Sequence, residues 1–236
     1  MKFLLALITP STCAGWQYWR PPNSPIVELG TVCGTEVALP VHFHNEDQVT
    51  FVIDGQRTFI ISNRLITVPA GHGIHIPART PHRSLAGQAD VIALNIYTIP
   101  GTCAAECLLA ELSRYWHRGK TLNGAELTAI VEACLWGEQV LPYLDTTPEG
   151  LWGSIGHTAS LSGMSREGFS RRFKRLYGMA PQTFQVGVKL NNARQLLRSQ
   201  QAIADVAAET GFADQSHLGR WFRRCFGVTP GHYRLG

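Results

Sequence analysis

The apolar positions of this 236-residue chain change their period part-way along it. Between Ile26 and Thr98 they fall in short β-rich runs, at Val49 to Ile53, Thr58 to Ile61, Leu65 to Val68, Ile74 to Ile76 and Val91 to Tyr97. Asp54-Gly55, Pro69-x-Gly71 and Pro77 punctuate the runs, and that spacing predicts a β-sandwich or barrel. Beyond Thr98 the period lengthens to that of helices. Ala104 to His117 and Ala125 to Leu135 read as two of them, and the face formed by Leu108, Leu112 and Tyr115 must be buried, for which a second subunit is the expected partner. Further on, Val186, Leu190, Ala193 and Leu197 recur at steps of four, three and four. They mark an amphipathic helix from about Thr183 to Ser199, roughly 25 Å long. Between the blocks, Leu141-Pro142 through Pro148-Glu149-Gly150 reads as a linker.

Two copies of one pattern flank that amphipathic helix. Arg171-x-Phe173-Lys174-x3-Gly178-x2-Pro181-x2-Phe184 returns 49 residues later as Arg220-x-Phe222-Arg223-x3-Gly227-x2-Pro230-x2-Tyr233. Basic side chains at helical spacing with a Gly/Pro stop at fixed offset mark a duplicated supersecondary unit. Upstream, Ala159-x3-Gly163 and Ala207-x3-Gly211 supply a small residue where two helices cross and a Gly where the first must end with φ > 0. Ser165 and Asp214 then serve as N-caps of the second helix, and the turn of copy two runs one residue longer. Phe169, Phe173, Leu218, Phe222 and Trp221 keep helical spacing and belong to the core.

Charge separates the same two blocks. From Gly150 onward twelve Lys and Arg face four Asp and Glu, a net of +8, which leaves −4 for the remainder of a chain whose total is +4. A basic block of this kind neutralises phosphates and releases counterions. Lys174, Arg175, Arg223 and Arg224 are the phosphate candidates.

The strings Gly163-Met164-Ser165-x3-Phe169-x-Arg171-x-Phe173-Lys174 and Gly211-Phe212-Ala213-Asp214-Gln215-Ser216-His217-Leu218-x-Arg220-x-Phe222 resemble the AraC/XylS family of transcription regulators, over roughly Gly150 to Arg234. The resemblance implies two helix-turn-helix units that present recognition helices to successive major grooves of promoter DNA. It also implies a chain that acts with RNA polymerase, as an activator more than a repressor. By position in the family pattern the base-contacting residues are Glu167, Ser170 and Arg171 in copy one, and Gln215, Ser216, His217 and Arg220 in copy two. Arginine forks onto guanine and Gln onto adenine, while Ser216 and His217 are equally suited to capping or to phosphate. Gly168 inside a recognition helix, and Thr158 where the family carries a larger aliphatic residue, predict a softer first unit.

In the β region, His42-x-His44-x3-Gln48-x6-Gly55 followed by Gly71-x5-Pro77-x-Arg79-x2-His82 resembles the two cupin motifs. The departures are Gln48 for an acidic ligand, Arg79 for a Gly and Ala86 for the final Asn. His42 and His44 lie two apart on a strand and share a face. With His82 and Gln48 they either hold a divalent metal such as Zn²⁺, Ni²⁺ or Fe²⁺ or line a pocket that hydrogen-bonds a small organic effector; a merely structural role is the third reading.

The six cysteines are scattered without a zinc-like pair, which predicts reduced thiols and a cytoplasmic protein. Phe3 to Ile8 is too short for a signal-peptide core, so it is expected to form an arm or first strand over the barrel. No run approaches the ~20 apolar residues of a membrane span. The expected architecture is two-domain. Residues 1–100 form an all-β cupin-like effector-binding barrel, 101–140 a helical segment suited to homodimerisation, 141–150 a linker, and 151–236 an all-α double helix-turn-helix domain joined by a linker helix. No residue demands catalysis; the alternative is a metal-dependent cupin enzyme with an attached DNA-binding module.

Overall fold

A computed structural model describes residues 15–87, 89–135 and 154–236. Its first part consists of β1 (Gly15–Trp19), β2 (Ile26–Gly34), β3 (Leu39–His42), β4 (Asp47–Asp54), β5 (Gln56–Ile61), β6 (Arg64–Pro69), β7 (Gly73–Ile76), β8 (His82–Ser84) and β9 (Val91–Thr98). They form a five-stranded sheet in the order β1-β2-β9-β4-β7 and a four-stranded sheet in the order β3-β8-β5-β6. All pairings are antiparallel. The larger sheet is buried on both faces, which is why β4 reads as an almost continuous buried run. Val49, Phe51 and Ile53 belong to the core beneath the helices that follow, whereas Val52 belongs to the core inside the barrel.

That covering layer is α1 (Ala105–His117) and α2 (Gly124–Ala133), the latter started by a capping box between Asn123 and Glu126. Leu108 and Leu112 are fully buried against Leu29, Phe51, Leu94 and Ile96 of the sheet, joined by Leu127 and Val131. The Trp116 indole donates to the Ile53 carbonyl at 2.9 Å and Ser113 to that of Gly71 at 3.0 Å. The apolar face assigned to a second subunit is therefore covered within the chain. A helix following an antiparallel sheet finds its partner locally, and one sequence pattern cannot distinguish the two destinations.

The basic part contains α3 (Ile155–Leu161), α4 (Arg166–Tyr177), α5 (Pro181–Arg198), α6 (Ile203–Glu209), α7 (Gln215–Phe226) and α8 (Pro230–Leu235). The two units are built alike. Ser165 caps α4 by accepting the Gly168 N–H, and Asp214 caps α7 by accepting that of His217. Gly178 and Gly227 end the two helices in left-handed backbone, at φ of 73° and 78°. Helix α5, entered through Pro181, connects the units and buries Leu190, Ala193 and Leu197. Among the described residues no helix is long and apolar enough to cross a membrane.

The second unit and the barrel share a core. Val52, Phe59, Ile76 and Tyr97 lie in one apolar cluster with Leu190, Leu218, Phe222, Phe226 and Tyr233. Strand β1 is the seam: the Tyr18 hydroxyl donates to the Phe226 carbonyl at 3.0 Å, and Trp16 lies so close to Gly227 that any side chain there would strike the indole. Cys33, across from Gly15 in the β1–β2 pairing, is disulfide-bonded, while Cys103, Cys107, Cys134 and Cys225 are free. The expectation of reduced thiols throughout is corrected at that position, because scattered spacing carries no information about pairing across strands. The expected arm at Phe3 to Ile8 and the linker 141–150 lie outside the described residues.

Candidate functional site

On the basic part, Arg171 and Arg220 occupy the same place, the sixth residue of α4 and of α7, and both are exposed. Glu167, Gln215 and Ser216 are exposed near the helix starts, and Ser170 is half-buried. His217 is half-buried as well, its Nε2 accepting the Trp221 indole N–H at 3.0 Å, so it is the least available of the set. Lys174, Arg175, Arg223 and Arg224 are exposed, with Arg224 5.5 Å over the Trp221 ring. Phe173, Leu218 and Phe222 are buried, Phe169 and Trp221 only partly. The barrel covers the C-terminal half of α7 through Phe226, leaving its N-terminal half open.

Inside the barrel, the register pairs His42 with His82 across β3 and β8, and His44 follows just beyond β3. Their rings lie 4.4 to 5.2 Å apart, and one nitrogen from each falls within 4.8 Å of the others. Gln48 reaches the same cavity from β4; its amide N–H groups serve Thr50 and Asn95 at 2.9 and 3.1 Å, and its Oε1 is buried without a partner. Trp16, Tyr18, Arg57, Phe59 and Tyr97 complete the lining. Open volume amounts to about 10 Å³, room for one water or one ion and not for an organic effector. Arg79 stands at φ 60°, the left-handed backbone that a Gly adopts at no cost, at the position where the sequence pattern expected a Gly.

Tautomers follow from the outer partners. His42 Nδ1 faces the Pro40 carbonyl at 2.8 Å and His82 Nδ1 that of Thr80 at 2.9 Å, so each Nδ1 carries the proton and each Nε2 holds a free lone pair. Orienting a histidine in this way suits it to ligate a metal. His44 differs. Its Nδ1 accepts a hydrogen bond from Arg194 of α5 at 2.8 Å, which leaves the proton on Nε2, buried without a partner. While Arg194 holds His44, only His42 and His82 present free imidazole lone pairs, beside the neutral amide oxygen of Gln48, and the third imidazole of the trio is withheld from a metal. Burial pushes the His82 imidazole down to about 4, and burial with the neighbouring cations takes His42 and His44 well below the usual range.

Arg194 is 1% exposed and forks, with its other arm on the Glu28 carboxylate. Arg198, one turn on, pairs with Glu28 and with Glu46, and donates to the Tyr233 hydroxyl at 3.0 Å, which itself donates to Glu28. Burial alone would lower the Arg194 pKa, but Glu28 raises it well above the ordinary value; burial would raise that of Glu46, but Arg194 and Arg198 hold it below the carboxylate range. Two carboxylates of the barrel and two guanidiniums of α5 thus close one neutral network. Sequence reading missed all four, because i,i+4 arginines on a basic helix look like phosphate contacts. It also missed Arg57, buried between Trp16 and Phe59 with Nε and Nη1 unpartnered and its pKa lowered to about 10 by burial.

Residues 158–236 match the helix-turn-helix domain family, and residues 32–97 match the cupin domain family. The chain is 34% identical over 88 residues to the HTH-type transcriptional regulator MtrA of Neisseria gonorrhoeae, covering 37% of this chain and 29% of that protein. It is 35% identical over 140 residues to the HTH-type transcriptional activator RhaS of Citrobacter koseri, covering 58% and 48%. It thus spans from under a third to about half the length of these relatives. An AraC-type transcriptional regulator structure from Chromobacterium violaceum aligns at 31% identity and a TM-score of 0.33, over 35% of this chain and 75% of that one. The chain thus joins a cupin domain to an AraC-type helix-turn-helix domain, and the proteins it is similar to are AraC-family regulators.

Proposed function

We propose that this chain is a sequence-specific, promoter-binding transcription regulator, cytoplasmic, whose barrel senses a small ligand or a metal. The observation that carries this reading is the repeated helix: α4 and α7 share caps, stops and an exposed arginine at the same turn, while their other faces are buried. An 18-residue α5 separates them by about 27 Å, which with the units' own width suits grooves one turn, roughly 34 Å, apart. Arg171, Arg220, Gln215, Glu167, Ser170 and Ser216 read bases, and Lys174, Arg175, Arg223 and Arg224 hold phosphates. The name of RhaS supports activation, and with it contact with RNA polymerase. An ion-sized cavity leaves no space for a substrate beside a metal, which supports a role without catalysis. An organic effector would need the barrel to open at β1, whose Trp16 and Tyr18 line the cavity on one side and touch α7 on the other.

Selection of bound duplexes from a random pool at fixed salt tests the reading. It predicts one enriched motif of two half-sites a helical turn apart, lost at one half in Arg171→Ala and at the other in Arg220→Ala. Recovery of sequences without a motif overturns it.

A further inference from the structure

We propose that His44 is a two-way switch, shared between Arg194 of the DNA-binding domain and a divalent transition metal in the barrel, so that metal binding and docking of α5 exclude one another. This rests on the sensing role proposed for the barrel and gives that site a ligand and a means of transmission.

His44 can serve only one of the two. A guanidinium has donors and no acceptor, so the imidazole nitrogen facing Arg194 must offer its lone pair, and the other nitrogen then carries the proton. Whichever nitrogen a metal approached, it would meet either a lone pair already used or an N–H. His42 and His82 show no such conflict, since backbone carbonyls fix them with free Nε2 lone pairs. Around one tetrahedral metal, neighbouring nitrogens stand roughly 3.3 Å apart. The trio, within 4.8 Å, needs only a small inward swing once His44 is released.

Charge gives the same exclusion. Arg57 already places one cation on the cavity, and it is rooted in β5 between Trp16 and Phe59. Arg194 is the cation able to leave, because it enters on a helix from the other domain. When it leaves, Glu28 on β2 and Glu46 beside β4 stay behind on the barrel, and their two charges compensate an incoming dication as they now compensate Arg194 and Arg198. The barrel exchanges one cation for another. The consequence for function is mechanical: Arg194 and Arg198 lie on the helix that fixes the spacing of the two helix-turn-helix units, so their release alters how both units meet DNA.

The test is titration of the full chain with Co²⁺, followed by its visible absorption, beside hydrogen exchange of α5. Arg194→Lys keeps a charge for Glu28 but cannot fork to His44. The variant should bind Co²⁺ at least about tenfold more tightly than the wild type, a size typical of coupling between sites. In the wild type, Co²⁺ should raise exchange across Pro181–Arg198, a readout that holds even if the variant folds poorly. Equal Co²⁺ affinity in the two proteins, no Co²⁺ bound by either, or unchanged exchange in α5 of the metal-loaded wild type overturns the proposal. Duplex selection in the presence of EDTA tests the DNA reading separately, so failure of one is distinguishable from failure of the other.

Discussion

The two helix-turn-helix units share one local grammar and differ in what stands behind it. The second is welded to the barrel: Phe222, Phe226 and Tyr233 lie in the barrel's own apolar cluster, and Tyr18, Arg20, Glu28 and Glu46 reach across to it or to α5. The first rests on a small separate cluster of Phe43, Phe173, Met179 and Phe184, with Phe43 of the barrel seated against Gly187 of α5. Its Leu161 and Leu176 stand 73% and 64% exposed. At equivalent places α3 buries Thr158 where α6 buries Val206. Equivalent caps and stops therefore do not by themselves fix stability, to which the apolar area behind a helix contributes more.

Acid should separate the two bodies most strongly. Burial favours neutral His42, His44 and His82, so their folded pKa values lie below the unfolded value, near 6.5. Stability is then complete above about pH 6.5 and falls as pH drops towards 4, where His82 alone removes about 3 kcal/mol. Urea titrations of the metal-free chain from pH 7 to 5 should show proton uptake on unfolding of the barrel and second unit. The first unit buries no histidine among its described residues and should melt without that slope. Arg194→Ala comes next, leaving Glu28 and Glu46 short of a partner at a cost of about 3–5 kcal/mol; equal stability of variant and wild type would mean that the domains do not rely on this network.

Phe226→Ala and Phe173→Ala remove one buried ring from each unit, about 3–5 kcal/mol in a core that cannot relax. Hydrogen exchange should accelerate in barrel and second unit together for Phe226→Ala and in α3 and α4 alone for Phe173→Ala. Global acceleration in both would erase the distinction between the units. In DNA binding, Arg220→Ala and Arg171→Ala should each lose about 1–3 kcal/mol, measured by titration of the selected duplex, with the larger loss at Arg220 on the better-supported helix. The smallest effect is expected of Thr158→Val, which removes a buried hydroxyl bonded to the Ser154 carbonyl at 3.3 Å. It should firm the first unit by up to about 1 kcal/mol and slow exchange in α3 without touching the barrel.

Much of the frame was legible along the chain because its signals are local. The β runs, the stripe on α5, the caps at Ser165 and Asp214 and the stops at Gly178 and Gly227 each depend on neighbours within about one turn or one strand. The histidine trio was legible because its members are close in sequence or in motif: the paired motif supplies His82 opposite His42, and His44 reaches the same place from just beyond the strand in which alternation had set it. Arg194 and Arg198 were not, because nothing four residues to either side distinguishes an arginine for phosphate from one for a buried carboxylate 166 or 152 positions away.

The chain by itself determined the elements, their caps and the pairing of a β block with a duplicated basic helical block. Only the tertiary structure decided that α1 covers its own sheet, that the second unit shares the barrel's core, and that an arginine from the DNA-binding part holds the third imidazole. Local patterns are fixed by torsions and by side-chain spacing along one element. Burial of a charge is fixed by whichever distant group arrives to compensate it, and that is settled only when the domains meet.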